Sequence, residues 1–350
     1  HTYSHPFLWE DAEAGKTAPH GAEPVFLPVD GYVFSLEREI AGSIGYIERR
    51  LAPPGKRVRV LLWSGDCAPS AAAVQTATRL GVLNVNGGGA TRTRARPSLT
   101  LGSALGIPKE GGGYQVFAPV ENENVDTNDF LGPYYGYRRA IETFELNDAP
   151  RRLSPISIYY HFYSAAKPAA LAALKDVYAG ASAQETTPLY LSEYAAKVLA
   201  FQEASLAVRI EDGAWQITGL GPLRTVRLDA AIGWPDLDRS TGVAGVREVP
   251  QGRFVTIAAD VASVVLATTK APPAGPRLES ANGKVLAWRR DGGRIALELA
   301  GHVPLQMTLA GARACTLRGP QAARVRALAG DRIELALAAT KTGRATLECR

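Results

Sequence analysis

Near residue 205 the chain changes its period, and that change constrains the fold more than any single motif. Before it, runs suited to strands alternate with runs suited to helices. Ser35 to Arg50 carries Leu36, Ile40, Ile44 and Ile47 at helical spacing, with Ser35 as candidate N-cap and Pro53-Pro54-Gly55 as the stop. Arg57 to Trp63 and Val82 to Val85 suit strands, with an Ala-rich helix from Ser70 to Leu80 between them. Residues 90 to about 113, rich in Gly, Pro, Thr and Arg, read as a long loop or insertion, with Arg92, Arg94 and Arg96 as a solvated rim. Then come a strand from Tyr114 to Val120, a short helix from Tyr137 to Phe144, a strand from Pro155 to Tyr160, and helices Lys167 to Ala179 and Glu193 to Gln202. Such repeating units predict a parallel sheet or a (β/α) barrel, whose chemistry sits on loops at the C-terminal ends of strands. Asp66, Asn86, Glu121, Glu123 and His161 fall at such ends.

From residue 206 onward, short β-prone runs follow one another between Gly, Pro and Asp turns. Among them are Ala207 to Ile210, Trp215 to Thr218, Thr225 to Leu228, Phe254 to Ala258, Ser263 to Thr268, Val285 to Arg289, Ile295 to Leu299, Leu305 to Leu309 and Ile333 to Leu337. This spacing predicts an all-β, sandwich-like domain over 206–350. Asp291-Gly292-Gly293 fits a hairpin turn, and the Pro-rich stretch 271–276 is a loop or a boundary between two small sheets.

Composition narrows the function classes. The chain has 350 residues, is 46% hydrophobic, and contains no apolar run near the roughly 18 residues of a membrane span. A net charge of +5 is spread along the chain rather than massed in a stripe, so no nucleic-acid partner is expected. The three cysteines include no Cys-x-x-Cys spacing, which excludes thiolate zinc and redox motifs; Cys315 and Cys349 could form one bridge.

The chemistry begins at the first residue. His1 and His5 can reach one metal ion, and the proline at position 6 keeps them on a turn rather than in a long helix. The string His1-Thr2-Tyr3-Ser4-His5 resembles the His-Ser/Thr-x-x-His motif of NodB-type polysaccharide deacetylases, in which both histidines bind a divalent metal. Ile158-Tyr159-Tyr160-His161 resembles the motif that ends in that family's general acid. The loop 64–69 and Asn86-Gly87-Gly88 stand near other family motifs but lack the Arg-Pro-Pro and Asp-Trp patterns. Ser-Gly-Asp-Cys at 64–67, Pro-Val-Glu-Asn-Glu-Asn at 119–124 and Tyr-Tyr-His-Phe-Tyr-Ser-Ala at 159–165 look like the deacetylase domains of Pel exopolysaccharide biosynthesis.

The resemblance covers roughly residues 1–205. It implies an incomplete (β/α) barrel of the deacetylase type, a divalent metal such as zinc on His1 and His5, an N-acetylhexosamine polymer as substrate, His161 as acid and a periplasmic site of action. The family's metal-binding Asp and base Asp precede the two histidines, so the resemblance also implies a piece of a longer polypeptide.

Other residues keep two readings. Asp66 either orients His161 or binds substrate, or it caps the helix near Ser70. Glu121 and Glu123 would share a face if extended, too close together to flank a glycosidic bond, which leaves a substrate hydroxyl contact or a structural role. Asn86 and Tyr160 are candidate substrate contacts, and Trp9, Tyr134, Tyr135 and Tyr163 could join Tyr160 in stacking on sugar rings. A copper histidine brace at His1 is disfavoured by the α/β pattern that follows. The alternative to an enzyme is a polysaccharide-binding or secretion-scaffold protein, whose β half engages the polymer or a secretion partner.

Overall fold

In the first unit, β1 (Val60–Leu62), β2 (Leu83–Val85), β3 (Gly106–Pro108) and β4 (Tyr114–Val116) form one sheet in the order β1-β2-β4-β3. The first three neighbours in that order run parallel, while β3 runs against β4. A separate parallel pair joins β5 (Glu121–Asn122) to β6 (Ile158–Tyr159). The computed structural model describes residues 1–17, 24–89, 91–118, 121–318, 323–338 and 341–349. Pro119 and Val120, the end of the strand expected from Tyr114 to Val120, lie outside them, as does Ala90. The architecture is mixed α/β, and the described strands form no closed barrel.

Most of the first unit's helices follow their sequence signals, while Trp9–Glu13 and Glu123–Asp126 were not expected. The helices are α1 (Trp9–Glu13), α2 over residues 37–51, α3 (Ala71–Arg79), α4 (Glu123–Asp126), α5 (Arg139–Leu146) and α6 (Pro168–Ser182). In α2 the ordinary helical turn Ser43–Tyr46 lies between wider turns at Glu37–Gly42 and Ile47–Leu51. Ser70 caps α3 by accepting the Ala73 N–H at 3.1 Å. The buried side of α3, Ala73, Val74 and Ala77, packs with Trp9, Ile40, Leu61 and Trp63. A second cluster seats Tyr137 and Phe144 against Ala173, Leu174 and Val177 of α6.

Two compact units divide the chain, His1–Glu185 and Thr186–Arg350, so the helix Leu191–Glu203 belongs to the second rather than closing the first half. In the insertion, Arg92 departs from the expected solvated rim. It is buried and donates to the Leu146 carbonyl (2.7 Å), Asn147 Oδ1 (3.0 Å) and the Pro97 carbonyl (2.9 Å). The end of α5 leaves carbonyls without helical partners, and a guanidinium supplies the donors.

The second unit is built on a seven-stranded mixed sheet in the order 323–327, 333–337, 306–310, 277–281, 243–249, 252–257, 225–228. A three-stranded sheet (264–266, 215–218, 205–208) shares one core with it, in which Ile217, Val264 and Leu266 meet Leu228, Val246, Val255 and Ile257. A four-stranded sheet (284–291, 294–300, 342–348, 316–318) shares the other, in which Trp288, Leu297, Leu299 and Leu347 meet Leu278, Leu309 and Leu335. Most strands before loop 271–276 serve the first core and those after it the second, but Ala244 and Ala258 reach into the second, and one sheet runs through both. Its halves join at a single parallel pairing, Gly245 with Leu278. A Cβ on Gly245 would stand 2.0 Å from the Leu278 carbonyl oxygen, so only glycine permits this approach.

Gly292-Gly293 makes the expected hairpin turn between paired Asp291 and Arg294. Cys315 and Cys349 form a disulfide, and Cys67 is a free thiol. No helix among the described residues is long and apolar enough to cross a membrane.

Candidate functional site

Bends carry the chain from His1 to Pro6, and His5 adopts a left-handed φ of 50° rather than the extended backbone that a following proline favours. The His1 and His5 rings meet edge to face, their centroids 4.7 Å apart. Nδ1 of His5 is buried without a hydrogen-bond partner. Burial, the largest influence, holds the His5 imidazole below its ordinary value.

A residue that the sequence reading passed over fixes this segment. Glu39, fully buried on α2, accepts the Ser4 N–H (3.0 and 3.1 Å), the Ser4 hydroxyl (2.6 Å) and the Tyr32 hydroxyl (2.6 Å). Burial and the Glu39 carboxylate together raise the Tyr32 hydroxyl above its ordinary value. Its signal was a carboxylate on the apolar stripe, since Leu36, Glu39 and Ile40 fall on one helical face.

The loop after β1 clamps the segment from the other side. The Ser64 hydroxyl donates to the Pro6 carbonyl (2.6 Å) and the Asp66 N–H to the Phe7 carbonyl (2.8 Å). Gly65 has φ 56°, and a Cβ there would stand 2.3 Å from the Phe7 backbone.

Asp66 neither orients His161 nor caps the helix near Ser70. Its Oδ1 accepts the N–H groups of Ala68 (3.1 Å) and Trp9 (3.3 Å), because the left-handed Cys67 (φ 52°) folds the loop back over the carboxylate. Ser70 caps α3 instead, and His161 is held by another residue. Burial raises the Asp66 carboxyl.

That residue is Glu123, which is buried at the start of α4. Its Oε1 accepts the His161 backbone N–H and pairs with His161 Nδ1 at 2.9 Å, while Oε2 accepts the Ser164 hydroxyl. Nε2 is therefore the ring atom left to exchange a proton. Tyr163 stacks on the His161 ring at 4.8 Å and 5°, and Tyr159 stands edge-on at 5.4 Å. Phe130 packs on Tyr163 (4.4 Å) and on Tyr134 (5.7 Å), at the end of three successive left-handed residues, Asn128, Asp129 and Phe130.

The remaining candidates separate. Asn122 ends β5 and caps α4 by accepting the Asn124 N–H (3.0 Å), so Glu121 and Glu123 do not share a face. Glu121 accepts the Thr143 hydroxyl (2.8 Å) and the Thr91 hydroxyl (3.3 Å), and burial pushes its carboxyl up to about 8. Asn86 donates to the Trp63 carbonyl (2.8 Å) and accepts the Gly87 N–H (2.9 Å), which joins the ends of β1 and β2. Tyr160 turns to Tyr178 on α6, with centroids 6.4 Å apart. Trp9 is wholly buried core, which removes it from any sugar platform. Tyr135 is 56% exposed and Tyr163 41%.

The orphaned Nδ1 of His5 suits a metal-binding nitrogen, and the His1 ring stands beside it. Among the described residues no group of three or more His, Cys, Asp or Glu is placed to share one ion. The chain matches no protein-family model, no curated protein and no solved structure.

Proposed function

We propose that the first unit is the later part of a metal-dependent polysaccharide N-deacetylase, a barrel-type domain acting on an N-acetylhexosamine exopolysaccharide of the Pel type in the periplasm. The observation that carries this reading is the edge-to-face His1–His5 pair with its unpartnered buried Nδ1, taken together with a His161 imidazole that Glu123 holds through Nδ1. Amide hydrolysis needs an activated water, a sink for oxyanion charge and an acid for the departing amine. A divalent metal held by His1 and His5, most simply zinc, would supply the first two.

The chain's own residues do the rest. His161 hands the Nε2 proton to the amine nitrogen as the C–N bond breaks, while Glu123 holds Nδ1 and stabilises the charged ring. Tyr163 keeps the imidazole in plane. The exposed faces of Tyr135 and Tyr163 offer sugar C–H groups an apolar contact.

The test is acetate release from N-acetylhexosamine oligomers by the polypeptide extended to include the upstream aspartates that the resemblance implies. Activity should vanish with chelator, return with zinc, and vanish in His161→Ala. Chelator-insensitive turnover, or turnover surviving loss of both His1 and His5, overturns the proposal. The two-donor site also favours a second reading, a polysaccharide-binding or secretion-scaffold protein; it predicts oligomer binding with no acetate released under any metal supplement.

A further inference from the structure

Arg96 in the insertion and Arg139 at the start of α5 line one cleft of about 470 Å³, within the range of small-molecule sites. Both are exposed, and neither guanidinium has a hydrogen-bond or ion-pair partner among the described residues. Arg94 on the same wall is spoken for, by Glu142 at 3.3 Å and Glu145 at 2.7 Å. Thr91 and Thr93 line the cleft too, as does Asp126, whose buried Oδ2 has no partner. The cleft thus pairs a set of hydroxyl-binding oxygens with two guanidinium cations that hold no hydrogen bond, and burial raises the Asp126 carboxyl while Arg139 draws it down.

We propose that this cleft binds a small hydroxylated ligand carrying one oxyanion, a sugar bearing a carboxylate or a phosphate. Arg96 and Arg139 take the oxyanion, since a guanidinium presents paired N–H donors matched to carboxylate and phosphate oxygens. Glu142, Asp126 and the threonines take ring hydroxyls. A free amine, the product of deacetylation, is the wrong charge for such a cleft, so the site is distinct from the one built around His161 and stands without it.

Titration calorimetry of the full chain with glucuronate, glucose 6-phosphate and N-acetylglucosamine tests the proposal. At least one of the two anions should bind in the millimolar range and the neutral sugar should not; the tighter anion identifies the ligand's acidic group. Arg96→Gln and Arg139→Gln should each weaken binding roughly tenfold, and Arg96→Gln should do so without moving the melting temperature, because its side chain is exposed. His161→Ala should leave the affinity unchanged, which separates this site from the deacetylase reading. No binding of either anion, equal binding of the neutral sugar, indifference to both arginine substitutions, or loss of anion binding in His161→Ala would each overturn it.

Discussion

Glu121 and Glu123 stand two positions apart and do opposite things. Glu121 is sealed against Thr91 and Thr143, and its carboxyl moves from an ordinary 4.5 up to about 8, so the folded chain prefers it protonated. The stability from that preference is complete below about pH 4.5 and is lost as pH rises through about 8; Asp126, pushed up to about 6 by burial, acts with the same sign. Urea midpoints should fall between pH 5 and pH 8, by an amount bounded at about 5 kcal/mol for Glu121, and Glu121→Gln should flatten most of that slope. Glu123→Gln should instead leave stability at pH 8 nearly level but lower kcat of the proposed reaction about 10- to 100-fold with KM little changed, because it weakens the hold on His161. Steady-state kinetics of the extended polypeptide decide this. That both carboxylates matter was legible in the sequence. Their divergence was not, because it depends on Asn122 ending the strand and capping α4 in one step.

At the scale of elements, the segment carrying His1 and His5 is held from outside itself, by Glu39 on α2 and by the Ser64–Asp66 loop. Glu39→Ala leaves the Ser4 N–H, the Ser4 hydroxyl and the Tyr32 hydroxyl without their acceptor. It should cost about 3 kcal/mol in urea unfolding, and Glu39→Gln about 1. Helical spacing announced α2 and α3, and β-branched runs announced strands such as 215–218 and 333–337. The strands 243–249, 277–281 and 342–348 were not read, since each carries small or polar residues (Gly245, Ser280, Gly343) where alternation should show. Long-range pairing, not local preference, makes them strands. Arg92 was misjudged for a related reason, as only the fold brings the end of α5 to it.

For the whole molecule, the change of period near residue 205 announced a mixed α/β unit and a β-rich unit. The split falls after Glu185, because the helix Leu191–Glu203 carries a side chain, Glu193, that bonds His302 at 2.7 Å within the second unit. The Cys315–Cys349 bridge spans 34 positions of that unit alone. Reductant should therefore lower the calorimetric transition of the second unit, by a stability of about 3 to 4 kcal/mol, and leave that of the first in place.

The single Gly245–Leu278 rung also has a mechanical meaning. A load drawing residues 252–257 away from residues 306–310 reaches that rung before any longer ladder. The seven-stranded sheet would tear there, and the tear would pull Ala244 and Ala258 out of the larger core, which they help to close.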